Sequence, residues 1–190
     1  MNKFDEMLGL VSEELQPKIA SIWDKINQGQ TLAQANNTDP NLLEALYTIG
    51  YQSFITRDFD NALQVFEILS ITDHLCTRFR LALAGVHFEM EDYKQAMSQY
   101  SFALMLDETS VEAAYWVFRT TQMIDTYNSK SIGAAAFYVK KLIEKFHAED
   151  KRYAKMSTEA KIYILKHNYK APSELAREAE AARQAAENTE

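Results

Sequence analysis

The sequence predicts an all-α protein, a solenoid of stacked helical hairpins. Apolar residues recur at spacings of three and four, the period of a helix with one buried face. The segment from Asp58 to Phe66, DFDNALQVF, returns 34 residues later from Asp92 to Tyr100 as DYKQAMSQY. The 190 residues include 5 glycines and 3 prolines, too few for a fold built from tight turns.

The first element runs from Phe4 to Ile26, with apolar residues at Phe4, Leu8, Val11, Leu15, Ile19, Ile22, Trp23 and Ile26. Pro17 interrupts it, so either the helix kinks or a second helix begins there. Gly29 suits the left-handed cap that ends it. Thr31 to Asp39 reads as a polar connection, and Asp39-Pro40 as an N-cap followed by proline at the first helical position.

From Leu43 the repeat takes over. The offset of 34 also links Phe54 to Phe88, Leu69 to Ala103 and Asp73 to Asp107. That period belongs to the tetratricopeptide repeat, a helix–turn–helix unit. Gly50 fits the small position of a first helix, where two helices approach closely. Ala62 and Ala96 fit the small position of the second, with Phe66 and Tyr100 four residues on. Ala84 stands in for glycine in the second copy, and Leu46 and Arg80 stand where the repeat favours tryptophan. Asp58 and Asp92 suit helix N-termini by capping and by dipole. Leu46, Ile49, Gly50, Ala62, Phe66, Leu83, Ala84, Ala96 and Tyr100 are expected between helices.

A third copy begins near Val111 and is degenerate. Its second helix fits only after a wide turn at Tyr127 to Ser131, with Ala135, Val139 and Leu142 at its packing positions. Tyr153, Met156, Ile162, Tyr163, Leu165 and Tyr169 predict one more helix, capping the open end of the solenoid. Pro172-Ser173 then opens an Ala- and Glu-rich stretch of high helix propensity, with Glu174–Arg177 and Arg183–Glu187 spaced for pairing. Its one large apolar residue is Leu175, so it reads as a solvated helix or a partly disordered tail. The expected organisation is an N-terminal helical segment and linker over 1–38, a repeat domain of three units over 39–148, and a C-terminal helical extension over 149–190.

Charge and composition exclude several function classes. The net charge of −7 argues against a nucleic-acid binder. From Asp39 to Asp125 there are 13 acidic and 5 basic residues, whereas Tyr127 to Phe146 carries 1 acidic and 4 basic. No apolar run approaches the roughly 18–20 residues that cross a bilayer. The N-terminus carries acid where a secretory signal carries base, so the chain is expected to stay in the cytoplasm without membrane insertion. The single cysteine excludes an internal disulfide and any all-cysteine metal site.

In a curved repeat stack the first helix of each unit lines the concave side. Helical spacing nominates Tyr47, Tyr51 and Phe54 in the first unit. The second supplies Leu81, Gly85 and Phe88 with Arg78 one turn earlier, and the third Tyr115, Arg119 and Gln122. A groove floored by rings and short of charge suits an extended apolar peptide, because aromatic side chains give contact area at low entropic cost. The alternative is that the rings at 47, 51 and 54 pack against the N-terminal helix.

Leu43 to Phe54, the Asp58-Phe59 turn, Ile68 to His74 and the preceding Gly29-Gln30-Thr31-Leu32 resemble the class II chaperones of bacterial type III secretion. The resemblance runs from about residue 15 to about residue 146. It implies three tandem repeats, a homodimer built partly by the N-terminal helices, and a groove holding an unfolded segment of hydrophobic translocator proteins. Tyr47, Tyr51 and Phe54 match the family's groove-lining aromatic positions. The implied action is to prevent aggregation and premature association of the client before secretion. The tail beyond about residue 150 and the wide turn in the third repeat depart from the family pattern.

Nothing in the sequence asks for catalysis, a metal or a cofactor. His74, His87, His147 and His167 lack ligand-like spacing, and Cys76 has no histidine placed by sequence to activate it. Glu91-Asp92 and Asp107-Glu108 sit at helix boundaries, where capping accounts for them. The rival reading is another repeat adaptor or a structural subunit, with the outer face or the tail binding the partner.

Overall fold

The computed structural model describes residues 7–8, 10–124 and 126–187. Phe4 lies outside them, as do the side chains of Arg183 and Glu187. The described residues contain ten α-helices and a short 3-10 turn, with no strand. In chain order they are α1 (Gln16–Asn27), α2 (Leu32–Ala35), α3 (Pro40–Ile55), α4 (Phe59–Thr72), α5 (Thr77–Glu89), α6 (Tyr93–Leu106), α7 (Val111–Met123), α8 (Ser129–Phe146), the turn Lys151–Tyr153, α9 (Ala154–Lys166) and α10 (Pro172–Glu187). They fall into two compact units, Met1–Gln99 and Tyr100–Glu190, divided within α6.

In the first unit Pro17 stands in the first turn of α1, as the two-helix reading requires. Gly29 takes φ +88°, the left-handed conformation in which a side chain is strained. Thr31 to Asp39 is more ordered than a polar connection. The Gln34 N–H donates to Thr31 Oγ1 at 3.3 Å and the Thr31 N–H donates to Gln34 Oε1 at 2.9 Å, a reciprocal cap that starts the single turn of α2. Ala33 and Ala35 are buried by it, and Lys25 Nζ donates to the Ala35 carbonyl at 3.0 Å.

The hairpin α3–α4 follows the predicted pattern. Asp39 accepts from the Asn41 N–H at 2.9 Å with Pro40 behind it, and Asp58 accepts from the Asn61 N–H at 3.4 Å. The repeat is also written in the backbone. Arg57 and Glu91, 34 residues apart, both adopt φ 62°. In each copy the next N–H reaches back five residues, Asp58 to the Ser53 carbonyl and Asp92 to the His87 carbonyl, both at 2.9 Å. This closes the first helix and aims the second.

Ala62, Phe66, Leu69, Phe79, Leu83 and Val86 form the buried centre, flanked by Leu43, Leu46, Tyr47 and Phe54. Gly50 is the point of closest approach. A Cβ there lies 2.9 Å from Val65 Cγ1 and 3.0 Å from Phe66 Cε1. Ile49 corrects the expected packing set: it stands one residue off the Leu43–Leu46–Gly50–Phe54 stripe and is 56% exposed.

In the second unit Ser110 caps α7 and Asn128 ends the wide turn by accepting from the Ser131 N–H at 2.9 Å. The core joins Val111, Ala114, Tyr115 and Phe118 of α7 to Ala136, Val139, Leu142 and Ile143 of α8, with Tyr153 and Ala160. The small residues buried on α8 are Gly133 and Ala136, while the expected Ala135 is half-buried at the margin of the same core. The described side chains of α10 are exposed; Lys170 Nζ bonds Glu178 at 2.7 Å and Ala171 is buried.

Gly50→Ala is expected to destabilise the chain. Overpacking costs about 1–3 kcal/mol, against roughly 1 kcal/mol of regained helix propensity. The urea midpoint falls while the helical signal in water stays; an unchanged or raised midpoint shows that Val65 yields freely.

Candidate functional site

In the first unit the nominated residues form a partly exposed aromatic face on α3 and α5. Tyr47 and Tyr51, one turn apart on α3, stack with ring centroids 6.3 Å apart and planes 7° from parallel. Tyr51 is 49% exposed, whereas Tyr47 is half-buried against Phe66 at 5.5 Å and Phe79 at 6.0 Å. Burial pushes the Tyr47 hydroxyl above its ordinary range, partly offset by the Arg78 guanidinium. The phenol therefore stays protonated and offers both a donor and an acceptor.

Arg78 stands at the start of α5 with its guanidinium 4.2 Å from the Tyr47 ring centroid. It forms an ion pair with Glu44 of α3, which raises its pKa further. Glu44 and Arg78 are 34 residues apart, the same place in successive repeats with opposite charge. Sequence reading nominated Arg78 and missed Glu44, although the period identifies the pair. Both side chains are about half exposed, so the pair contributes only about 0.2–1 kcal/mol, and the cation–π contact about 0.5–1 kcal/mol.

Phe54 and Phe88 occupy equivalent positions and do equivalent work. Each packs on the aromatic residue five places on, Phe54 on Phe59 at 5.9 Å and Phe88 on Tyr93 at 5.4 Å. They clasp the turns of their hairpins and are half-buried, as are Leu81 and Gly85. The face thus presents Tyr51 and part of Tyr47, with Arg78 as its one cation among the nominated residues.

The second unit corrects the nomination of Tyr115. Its ring is 7% exposed and lies in the core, between Trp116 and Phe118, because α9 packs along this side of α7. Tyr115 Oη donates to Glu159 Oε2 at 2.5 Å, and Arg119 Nη1 donates to the same oxygen at 3.1 Å. Burial, then the Glu159 carboxylate, pushes Tyr115 up to about 12. The two donors, Tyr115 foremost, hold Glu159 below the usual carboxylate range. Arg119 and Gln122 border a cleft of about 310 Å³ between α7 and α9, with Phe118, Ile162 and Tyr163. No spacing rule marks Glu159, since docking of α9 selects it.

Among the described residues no group of three or more His, Cys, Asp or Glu is placed to hold a metal, and no helix is long and apolar enough to cross a membrane.

Tyr115 is expected to titrate well above the ordinary tyrosine range. Its proton is held from the unfolded value near 10 to about 12, so its contribution is complete below pH 10 and is lost as pH rises through about 12. Tyr115→Phe removes a step at about pH 12 from an ultraviolet titration and costs about 1.5 kcal/mol; an unaltered titration curve contradicts the bond.

No protein-family model matches the chain. The low calcium response locus protein H of Yersinia pestis is 30% identical over 79 residues, 42% of this chain and 47% of that protein. The aligned stretch thus spans about half the length of that relative. Among solved structures, a type III secretion complex from Aeromonas hydrophila matches with a TM-score of 0.69 at 21% identity, over 78% of this chain and 95% of that one. The type III secretion chaperone SycD of Yersinia enterocolitica, solved with a peptide of the translocator YopD, matches with a TM-score of 0.61 at 20% identity, over 68% and 95%. The chain is similar in sequence to the low calcium response locus protein H and has the fold of these solved chains.

Proposed function

We propose that the chain is a type III secretion chaperone that holds an extended segment of hydrophobic translocator proteins on the α3–α5 face. The observation that carries this reading is the stacked Tyr47–Tyr51 pair, half open to solvent, on the fold of a chaperone solved with a translocator peptide. The rings supply apolar contact, and their hydroxyls pair with peptide backbone. Leu81, Gly85 and Phe88 continue the face along α5. The protein acts by binding, without catalysis, in the bacterial cytoplasm: it shields segments that otherwise aggregate or meet one another before export. The net charge of −7 keeps the loaded complex dispersed. α1 buries none of its residues and leaves Trp23 41% exposed, which supports a homodimer contact through the N-terminal helix.

A stripe on α4 favours a second reading as an adaptor: Ile68 and Ile71 are 55% and 68% exposed, and Leu75 just beyond the helix is 48% exposed. Co-expression with long, apolar, membrane-active proteins from neighbouring reading frames separates the two. Tyr51→Glu, at an exposed position, is expected to reduce client capture at least tenfold with the helical signal intact; Phe54→Glu does the same but also loosens the Phe59 clasp. Undiminished capture by Tyr51→Glu, together with loss on Ile71→Glu, replaces the chaperone reading with the adaptor one.

A further inference from the structure

We infer that Arg78 is a specificity-determining residue that recruits an acidic side chain of the bound segment, and that Glu44 holds its place until that segment arrives. The inference rests on the α3–α5 face being the peptide-binding surface, and it names the kind of segment that binds there.

Arg78 is the one charged residue among those nominated on the face of the first unit, and its position is set from three sides. The guanidinium lies 4.2 Å from the Tyr47 ring centroid and 5.6 Å from that of Phe79. Both of its terminal nitrogens point at the Glu44 carboxylate, the Nη1 bond measuring 3.3 Å. A planar cation over a ring with a carboxylate at its edge uses the guanidinium as a fork, the geometry that recognises carboxylates bidentately.

The placement has two consequences. Arg78 covers part of Tyr47, so a segment lying along Tyr47 and Tyr51 meets it. The Glu44 side chain is 57% exposed, so a carboxylate can replace it from solvent without either charge passing through a dry interior. A segment with an apolar residue on the rings and a neighbouring Asp or Glu exchanges one carboxylate for another, and Glu44 returns to water. A segment with an amide or lysine there leaves the original pair intact or repels it.

An array of short extended peptides tests this. Leucine and valine anchors are fixed at alternating positions, and one flanking position is Glu, Gln or Lys. The purified full chain is expected to retain the Glu peptides about fivefold better than the Gln peptides, and Lys least. Glu44→Gln removes the internal competitor and raises retention of the Glu series severalfold, leaving the Gln series unchanged. Arg78→Met keeps an unbranched stem over Tyr47, so it levels Glu and Gln while both still bind; Arg78→Ala checks the same point with the helical signal as control. Equal retention of Glu and Gln peptides by the unaltered chain overturns the inference and leaves the binding face standing. Failure to retain any peptide overturns the binding face, and the inference with it.

Discussion

The first unit depends on how closely α3 and α4 approach. At Gly50 the gap is too small for a methyl group without displacing Val65 or Phe66. That contact fixes the angle of the hairpin, and Ala62 and Phe66 fill what remains. With one side of α3 committed to α4, Tyr47 is left at the boundary and Tyr51 beyond it. The aromatic face follows from packing: the helix buries the stripe it must bury, and the next rings around the cylinder stay open.

Repetition extends this arrangement. Arg57 and Glu91 turn the chain with the same left-handed φ, Asp58 and Asp92 cap the helices that follow, and Phe54 and Phe88 clasp the turns through Phe59 and Tyr93. Equivalent residues of neighbouring first helices therefore come near each other, as Glu44 and Arg78 do. A surface built this way is read across helices, and its charge pattern follows from what each copy places at one shared position.

The second unit uses the same hairpin to another end. α9 lies where an open first-helix face was expected, taking Tyr115 into the core and tying Tyr115 and Arg119 to Glu159. A buried phenol with an ionised acceptor secures that helix, while the corresponding rings of the first unit stay half-buried. One nominal repeat position thus has two environments, decided by whether a later segment covers it.

The sequence alone determined the class of fold, the period, the caps at Asp39, Asp58 and Asp92, and the close approach at Gly50. Each depends on local spacing or on a residue type with one physical use. The cap pairing Thr31 with Gln34 was legible by the same logic and lay hidden in a short polar stretch. Tertiary structure decided that Ile49 faces out, that Ala136 is buried more deeply than Ala135 beside it, and that Tyr115 is enclosed. It also selected Glu159 as the acceptor for two donors some forty residues earlier. These outcomes turn on which of several apolar faces finds a neighbour, and helical periodicity marks faces without naming what will cover them.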